Sequence, residues 1–372
     1  MGAGPAVTTA TGLRAEFPVL SRSVYLNAGS FGPVPAAAAR AAKLVLCHEA
    51  TWGRLGRDED GWEAVREDLR SAYARALGPD VRPRDVALTT GTTDGLARVL
   101  SAFRWGRDAE VVTAEDEHPG LLGQLAVLRR RGVRVRAAPL HRIHEAVTPA
   151  TTLVACSHVA WRDGRTAPSA LAELRGRVPV LLDGAQGAGA VPVDPAVLGC
   201  AFYAAPGQKW LCGPAGTGLL WIDPAWRDLL EPTGVGWRNL DHPDAGLDTV
   251  PFGDARAFDA SASLPAAIAQ ATAAIQVLEH HGWPAVHADG STLAARFAAV
   301  LAESGRDVAA RDASTLVSFR DADPPATVAR LADRGIDVRR LPGTDLVRAS
   351  VGAWNDEDDL DRLVETLGAA AR

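Results

Sequence analysis

Two neighbouring stretches of the chain decide its fold: Val178-Pro-Val-Leu-Leu-Asp-Gly-Ala-Gln-Gly-Ala-Gly-Ala-Val191 and Ala201-Phe-Tyr-Ala-Ala-Pro-Gly-Gln-Lys-Trp-Leu-Cys-Gly-Pro-Ala-Gly-Thr-Gly218. The apolar residues 178–182 of the first stretch predict a buried strand that places Asp183 at its carboxyl end. The apolar residues 201–204 of the second predict another strand, which runs into a glycine-containing turn that presents Lys209. Either residue alone is more simply a helix cap or a solvated lysine, but together they indicate a binding site.

The acid and the lysine are the two groups that pyridoxal phosphate chemistry requires. A lysine amine forms a Schiff base with the cofactor aldehyde, and a carboxylate keeps a proton on the pyridine nitrogen, so that the ring can accept electrons from a substrate. Gln186 and the glycines around Lys209 favour this interpretation further. We therefore predict that the chain binds pyridoxal 5'-phosphate through Lys209, with Asp183 beside the ring nitrogen.

Composition and charge argue against several other classes of protein. The chain has 372 residues, of which 47% are hydrophobic and 23% charged, and its net charge of −6 gives no reason to expect a nucleic-acid partner. No apolar run reaches the length of a membrane span, and the N-terminus lacks the pattern of a secretory signal. The four cysteines have no Cys-x-x-Cys spacing, which argues against disulfides or a metal site. We expect a cytoplasmic protein without a membrane or metal partner.

The order of apolar runs and helical patterns predicts an α/β fold, with a mostly parallel central sheet, helices on both of its faces and a smaller α+β C-terminal domain. We predict an N-terminal arm over residues 1–34 that packs on the small domain, a large cofactor-binding domain over 35–255 and a small domain over 256–372. The predicted strands are 85–89, 110–113, 133–137, 152–156, 178–182, 201–203, 218–222, 316–320, 337–340 and 346–350. The predicted helices are 36–77 (broken near 58–61), 93–103, 120–131, 169–175, 265–281, 291–302, 326–334 and 357–367.

Polar side chains follow several of the predicted strands. Thr92 and Thr93 follow Gly91 where a strand meets a helix, which predicts an anion site at the helix N-terminus, although a threonine cap without a ligand is the simpler alternative. His118 and Ser157 follow two further strands, and the histidine suits either stacking on a planar ring or capping of the next helix. Because ligands of such sheets lie beyond the carboxyl ends of the strands, we expect these residues to converge with Asp183.

These motifs resemble those of the class V aminotransferases, a group of fold-type I pyridoxal phosphate enzymes that includes cysteine desulfurases, isopenicillin N epimerase-like proteins and the C–S lyases of ergothioneine synthesis. The resemblance extends from Tyr25 to the last predicted helix. Its most specific motifs are YLNAGSFGPVP, TTGTTDGL, EHP, DGAQGAGAVPVD, GQKWLCGPAGTG and VRASVGAWNDEDDLDRL. The resemblance implies a homodimer with active sites at the subunit interface and an amino-acid substrate.

The resemblance also implies roles for individual residues. Lys209 is the Schiff-base lysine, Asp183 the partner of the pyridine nitrogen, and Arg348 the ligand of the substrate α-carboxylate, which a planar guanidinium suits. Arg339 and Arg340 are rival carboxylate ligands, and a surface ion pair with residues 356–359 is the other explanation of Arg348. The remaining implied contacts are Gln186 at the ring hydroxyl, His118 stacked on the ring, Thr92 and Thr93 at the phosphate, Gln208 at the cofactor, and Asn27 and Trp161 at the substrate.

The chain departs from the family pattern at three places. Pro206 stands where many relatives have a serine that contacts the phosphate, so one contact is lost or supplied elsewhere, whereas Gln208 can still donate a hydrogen bond. In the segment that usually contacts the neighbouring subunit, Ser261 or Ser263 would have to do so. Trp161 stands where desulfurases commonly have an asparagine, which indicates a different substrate pocket.

The predicted activity begins with loss of the Cα proton of an α-amino acid to Lys209, and leads to transamination or to β-elimination of the C–S lyase type. An epimerase, or a non-catalytic sensor that binds the cofactor and an amino acid, are the alternatives. A cysteine desulfurase is disfavoured because the loop 341–345, where desulfurases carry their persulfide-forming cysteine, has none, and no cysteine follows Cys212. We expect all four cysteines (Cys47, Cys156, Cys200 and Cys212) to be packed small residues.

Overall fold

The structure is a computed structural model, which describes residues 10–54 and 59–368 of the chain. Its strands are β1 Val24–Tyr25, β2 Val86–Thr89, β3 Glu110–Ala114, β4 Arg134–Ala138, β5 Thr151–Ser157, β6 Val180–Asp183, β7 Phe202–Pro206, β8 Gly218–Ile222, β9 Leu316–Arg320, β10 Ile336–Asp337, β11 Arg339–Arg340 and β12 Leu346–Ser350. Its α-helices are α1 Ala10–Ala15, α2 Ala36–Trp52, α3 Glu59–Leu77, α4 Thr92–Ala102, α5 Pro119–Arg130, α6 Pro195–Leu198, α7 Pro265–His281, α8 Trp283–Glu303, α9 Pro324–Ala332 and α10 Glu357–Gly368.

A seven-stranded sheet forms the centre of the molecule, in the order β2-β8-β7-β6-β5-β3-β4. The five strands from β7 to β4 are parallel, and β8 is antiparallel to both of its neighbours, β7 and β2. Strand β2 therefore runs in the same direction as the five parallel strands. Consequently Thr89, at the end of β2, and Asp183, at the end of β6, lie at the same edge of the sheet, as the strand exits in the sequence predict.

Apolar side chains on both faces of the sheet explain why its central strands are continuous hydrophobic runs. Leu182 and Tyr203 face a core that includes residues of α3 and α7, whereas their neighbours Leu181 and Phe202 face a core that includes residues of α4 and α5. Alternate residues of a strand point to opposite faces, so each strand contributes to both cores. The fold-type I architecture predicted from the sequence is confirmed.

A smaller antiparallel sheet, in the order β11-β12-β9, carries the C-terminal part of the chain. Nearby, β1 pairs in parallel with β10, and Asn27 forms a β-bridge with Ser350. Val24 and Leu26 belong to the same apolar core as residues of β9, β12, α8 and α10. The N-terminal segment thus pairs with the C-terminal unit. Residues 1–9 of the predicted arm lie outside the described part of the chain.

Helix α7 belongs to the core of the large sheet rather than to the small one. Its residues Ile268, Ala271 and Ile275 share the core that contains Leu182 and Tyr203, and the helix packs against α2 and α3. We therefore propose that the small unit begins after α7, and not at residue 256 as the change in sequence pattern predicts.

Most predicted elements differ from the observed ones by only one or two residues, with three clear exceptions. The predicted strand 337–340 is two strands, β10 and β11, which belong to different sheets. Helix α8 begins at Trp283, eight residues before the predicted start at 291, because Pro284 lies in the first turn, where its missing N–H has no helical partner to lose. The predicted helix 169–175 is a 3₁₀ turn, Ser169–Leu174. The predicted break near 58–61 lies a few residues too late, because α2 ends at Trp52 and α3 has already begun at Glu59; residues 55–58 lie outside the described part.

A buried ion cluster fixes the segment that leads into α7 against the large sheet. Asp259 is fully buried and accepts hydrogen bonds from Arg70 Nη1 and Nη2 at 3.0 and 2.8 Å, and from Arg66 Nη2 at 2.6 Å. It also accepts one from the backbone N–H of Leu88 in β2 at 2.8 Å. The Asp259 carboxylate therefore lies against two buried guanidinium groups, which also pair with Glu67 and Glu63, and it joins α3 to β2.

We expect Asp259→Asn to lower the free energy of unfolding by about 3–5 kcal/mol, because two buried cations lose the one buried carboxylate that they share, while their other partners, Glu63 and Glu67, lie nearer the surface. Urea denaturation of both proteins measures this loss. Asp228→Asn, at an exposed position, is the matched control and should change stability little. A loss for Asp259→Asn as small as that of the control would show that the cluster contributes no net stability.

Candidate active site

A cavity of about 320 Å³ lies at the sheet edge where β2, β6 and β7 end. It is lined by residues from the N-terminal segment, from five loops of the large sheet and from the small sheet. These residues are Gly29, Ser30, Thr90, Gly91, Thr92, Thr93, Asp94, His118, Trp161, Asp183, Ala185, Gln186, Pro206, Gln208, Lys209, Arg339 and Arg348. Of the site residues predicted from the sequence, the cavity brings together all except Asn27.

Asp183 is held rigidly at the floor of this cavity. It lies opposite Ser157 of β5 and Ala204 of β7, its Oδ1 accepts a hydrogen bond from the N–H of Ala185 at 2.9 Å, and only 5% of the residue is exposed. Burial raises the pKa of Asp183, while the charge of Lys209 and the Ala185 N–H oppose this shift. A positively charged ligand atom beside the carboxylate would hold it in the ionised form.

The turn after Asp183 depends on close contacts with aromatic rings beneath it. A Cβ atom at Gly184 would lie 2.3 Å from the ring of Tyr203, and one at Gly187 would lie 2.4 Å from His158 Nδ1. The two rings are joined by a hydrogen bond of 3.0 Å between His158 Nδ1 and the Tyr203 hydroxyl. The glycines that surround Asp183 in the sequence therefore allow its loop to lie directly on this buried pair.

Lys209 enters the cavity from the loop that follows β7. Its backbone is fixed on both sides, because Gly32 N–H donates to the carbonyl of Gln208 at 2.7 Å and Cys212 N–H donates to that of Lys209 at 3.0 Å. Burial lowers the pKa of the Lys209 amine to about 8, the charges of Arg348 and Arg339 lower it further, and Asp183 opposes them. An amine with this pKa is partly neutral near physiological pH, and only the neutral amine is a nucleophile.

The N-terminus of α4 faces the same cavity through Thr92 and Thr93. Gly91 caps this helix with a φ of +150°, a backbone conformation that favours glycine. The Thr90 N–H is taken by Asp94 Oδ2 at 2.9 Å, whereas Gln208 Oε1 is buried without a partner. Unpaired N–H groups at the start of an eleven-residue helix suit an anion.

His118 both caps a helix and faces the cavity, so the two interpretations of this residue are compatible. Its Nδ1 accepts a hydrogen bond from Gly120 N–H at 3.0 Å at the start of α5, and its ring meets that of Trp161 edge-on, with centroids 5.3 Å apart. Burial, with the charges of Lys209 and two arginines, lowers the pKa of His118 to about 4. The ring is therefore neutral at physiological pH and carries its proton on Nε2.

The loop that carries His118 is fixed to β5 by its neighbour Glu117. The buried Glu117 carboxylate accepts hydrogen bonds from both the N–H and the hydroxyl of Ser157, the former at 2.8 Å. Burial raises the pKa of Glu117 to about 7, although these hydrogen bonds oppose the shift. Sequence analysis assigned no role to Glu117, because its contact with Ser157 joins loops that are forty residues apart.

Arg348 is buried in the cavity wall and is not part of a surface ion pair. Its Nη1 donates to the carbonyl of Trp161 at 2.6 Å, and its Nε is buried without a partner. The acidic residues Asp356 and Asp359, the alternative partners considered from sequence, instead pair with Arg14. Of the rivals, Arg339 also lines the cavity, whereas Arg340 is exposed outside it.

The N-terminal segment closes the cavity beside Gln186. Gln186 Nε2 donates to the carbonyl of Gly29 at 2.8 Å, and its Oε1 accepts from Trp210 Nε1 at 2.9 Å. A Cβ atom at Gly29 would lie 2.7 Å from Arg348 Nη2, so only glycine fits there. One amide hydrogen of Gln186 remains for a ligand.

Asn27 lies just behind the cavity wall, unlike the other predicted site residues. Its Oδ1 accepts a hydrogen bond from the Ser30 hydroxyl at 2.7 Å, and that hydroxyl accepts one from Arg339 Nη1 at 2.8 Å. Asn27 is not among the residues that line the cavity, and through these bonds it orients Ser30 and Arg339; its contact with a substrate stays a prediction. Ser30 itself was missed, since only the pairing of β1 with β10 brings it to Arg339.

The residues present fit pyridoxal phosphate on several independent points. The cavity offers a buried carboxylate, an amine of lowered pKa, a neutral imidazole and a helix N-terminus, together with an unpaired Gln208 oxygen. Lys209 would hold the aldehyde carbon, Asp183 the ring nitrogen and the start of α4 the phosphate. Within the described ranges no cluster of three potential metal ligands occurs, and no helix there is long and apolar enough to cross a membrane.

Comparison with known proteins identifies the class of enzyme to which this arrangement belongs. The chain is a member of the aminotransferase class-V family, whose sequence profile matches residues 62–363. It is thus a pyridoxal phosphate-dependent enzyme of fold type I, as the resemblance implies.

Relatives by sequence differ in the reactions for which they are named. The chain is 30% identical to a probable cysteine desulfurase of Pseudomonas aeruginosa, over 95% of this chain and 96% of that protein. It is 32% identical to isopenicillin N epimerase of Streptomyces clavuligerus, but this match covers only 58% of the chain and 57% of the epimerase.

Solved structures agree with the fold over nearly the whole chain. C-DES, in a mutant form with glycine covalently linked to its pyridoxal phosphate, superposes with a TM-score of 0.86 at 26% identity, over 95% of this chain and 98% of that one. A second solved structure shows C-DES, there called a cystine C–S lyase, in complex with its reaction product cysteine persulfide. The Escherichia coli cysteine desulfurase CsdA gives a TM-score of 0.85 at 24% identity, over 98% and 99% of the two chains, a likeness of fold.

We expect covalent uptake of pyridoxal phosphate by the apoprotein to accelerate with rising pH and to level off above about 8, because the neutral Lys209 amine is the nucleophile. The spectrum of the bound cofactor, recorded after rapid mixing, gives the rate. Asp183→Asn should move the midpoint to lower pH, since the Asp183 charge raises the pKa of Lys209.

Nα-acetyl-lysine, which has a free side-chain amine, is mixed with the cofactor in place of the apoprotein as the control. The midpoint of its pH profile should lie near the ordinary lysine pKa of 10.5. A protein midpoint equal to that of Nα-acetyl-lysine would contradict the lowered pKa.

Proposed function

We propose that the protein acts on an α-amino acid by removing its Cα proton, and that the outcome is β-elimination or transamination. The observation that carries this proposal is the amine of Lys209, of lowered pKa, in one cavity with Asp183 and Arg348. The likeness to a C–S lyase along nearly the whole chain supports the β-elimination outcome.

Each residue has a task that follows from its position. When bound, pyridoxal phosphate supplies an electron sink for the negative charge that develops at Cα. The Arg348 guanidinium binds the substrate carboxylate through parallel N–H donors, and Lys209 Nζ takes the Cα proton. Asp183 would keep the pyridine nitrogen of the cofactor protonated at the floor of the cavity. The neutral His118 ring covers one face of the site without adding a competing charge.

The cysteines support a reaction that does not use a protein thiol. Cys156, Cys200 and Cys212 are fully buried, and burial raises the pKa of each thiol above its ordinary value. Cys47 differs from the expectation of a packed residue, because it is exposed on α2, but it does not line the cavity. A desulfurase needs a reactive thiolate at the substrate sulfur, and none of these residues offers one there.

Two alternative functions remain. An epimerase would begin with the same proton removal, whereas a sensor would bind an amino acid without turnover. Epimerisation differs from the proposed outcomes in that the proton returns to the opposite face of Cα. Intact Lys209 and Asp183 favour catalysis over sensing.

We further propose that the protein is a homodimer. Large apolar side chains are exposed around the N-terminal segment and α2, among them Phe31, Leu44 and Trp52, and Leu264 is exposed just before α7. Ser261 and Ser263 are exposed in the same region, and either is free to reach the site of a second subunit. Exposed apolar patches of this kind mark interfaces.

Borohydride reduction of the holoenzyme followed by peptide mapping tests the assignment of Lys209, which should be the labelled lysine. A screen of amino acids and S-conjugates, scored separately for keto acid, ammonia and the amino form of the cofactor, then assigns the reaction. Ammonia with keto acid indicates β-elimination, and accumulation of the amino form indicates transamination. A label on another lysine would refute the site, and spectral change without product would identify a sensor.

Arg348→Lys should weaken binding of a simple amino acid such as alanine by on the order of 1–3 kcal/mol while leaving cofactor affinity unchanged, because lysine keeps the charge but lacks the planar fork. Absorbance titration of the holoenzyme measures both affinities. Arg340→Lys on the exposed side of β11 is the matched control. An equal loss in both variants would show that the effect does not come from a specific contact in the cavity.

A variant with all four cysteines replaced should retain turnover once any loss of folded protein is allowed for. Cys212→Ala is the critical single change, because Cys212 lies three residues from Lys209 and adopts an unusual positive φ of 55°. Its steady-state rate should match that of the native protein in the product assay. Loss of turnover with fold and cofactor intact would restore a sulfur-transfer mechanism.

A further inference from the structure

Two arginines face the cavity side by side, although an α-amino acid has only one carboxylate. Arg339 of β11 lies directly opposite Arg348 of β12 in the antiparallel register, and directly opposed residues project from the same face of a sheet. Both side chains line the cavity. The next residue, Arg340, lies opposite Val347 and is exposed outside the cavity.

Neither guanidinium is neutralised by the protein. Arg339 donates to the Ser30 hydroxyl and Arg348 to the Trp161 carbonyl, both uncharged acceptors. Across residues 10–54 and 59–368, no carboxylate lies within ion-pair distance of either group. The other charged groups of the cavity have partners, since Asp94 pairs with Arg98 at 3.0 Å and Asp183 interacts with the charge of Lys209.

We propose that Arg339 binds a second acidic group of the substrate, and that the substrate is therefore an amino acid with an acidic side chain, such as a carboxylate, sulfinate or sulfonate. The inference rests on the proposed function, since it assigns Arg348 to the α-carboxylate. Two adjacent cations repel each other, and one carboxylate compensates only one of them. A planar guanidinium suits each of these oxyanions through parallel hydrogen bonds.

The positioning of Arg339 agrees with a binding role. Its Nη1 is held by the Ser30 hydroxyl, which in turn donates to Asn27 Oδ1, so that the N-terminal segment orients the guanidinium while leaving most of its N–H groups unused. The anion-binding end of the cavity, at α4, is contributed by a different part of the sheet. Arg339 is therefore free to take a group of the substrate rather than the cofactor phosphate.

Calorimetric titration of the holoenzyme with unreactive acids tests the proposal, in a chloride buffer free of phosphate and sulfate. Succinate should bind roughly tenfold or more tightly than butyrate, since it makes an additional charge-assisted contact. Arg339→Gln should remove this preference and leave butyrate binding unchanged, Arg339→Lys should retain part of it, and Arg340→Gln should behave like the native protein. Equal weakening of both acids by Arg339→Gln would show that both arginines share one carboxylate and would overturn the proposal.

Absorbance titration of the same holoenzyme with aspartate against asparagine, and with glutamate against glutamine, separates this inference from the proposed function. The acidic member of at least one pair should perturb the cofactor spectrum at a lower concentration than its amide, and the difference should disappear in Arg339→Gln. If the amides perturb the spectrum at the same concentrations as the acids, the proposal of a dianionic substrate is overturned, while the proposed function stands. No response to any amino acid would refute the proposed function itself.

Discussion

Parallel pairing of β5, β6 and β7 is the constraint on which the rest of the structure depends. In this register Ser157, Asp183 and Ala204 lie side by side at the carboxyl edge of the sheet, and the loop after β7 then brings Lys209 back over Asp183. The pairing requires strands that are apolar on both faces, which is why residues of β6 and β7 contribute to both cores. The parallel pairing of these strands therefore places both the buried acid, Asp183, and the buried amine, Lys209.

The charges and pKa shifts of the cavity residues give these residues different roles. Burial raises the pKa of Asp183, lowers that of Lys209 and keeps His118 neutral. These shifts have a common origin, because removal from water disfavours the charged form of every group. The arginines add positive charge at the end of the site nearest the small sheet, so the cavity has one wall suited to oxyanions and a floor suited to a cation. The same fold accommodates different reactions, and this charge pattern, rather than the fold, identifies the ligand.

The sequence predicts those parts of the site that depend on local patterns. Apolar runs ending in Asp183 and Lys209, and a glycine before Thr92, are local signals, and the strands and loops that carry them form where expected. Contacts between distant segments were not predictable in this way. The hydrogen bonds that join Asn27, Ser30 and Arg339 were missed, because they depend on the pairing of β1 with β10, more than three hundred residues away. The placement of α7 likewise depends on packing that its Ala-rich sequence does not specify.

The pairing of the N-terminal segment with the C-terminal unit also sets an order of events during synthesis. The residues that would hold the cofactor, from Thr92 to Lys209, leave the ribosome before Arg339 and Arg348 have been translated. Ser30, although made first, meets its partner Arg339 only when β11 appears. The residues proposed to hold the cofactor are thus synthesised before those proposed to bind the substrate.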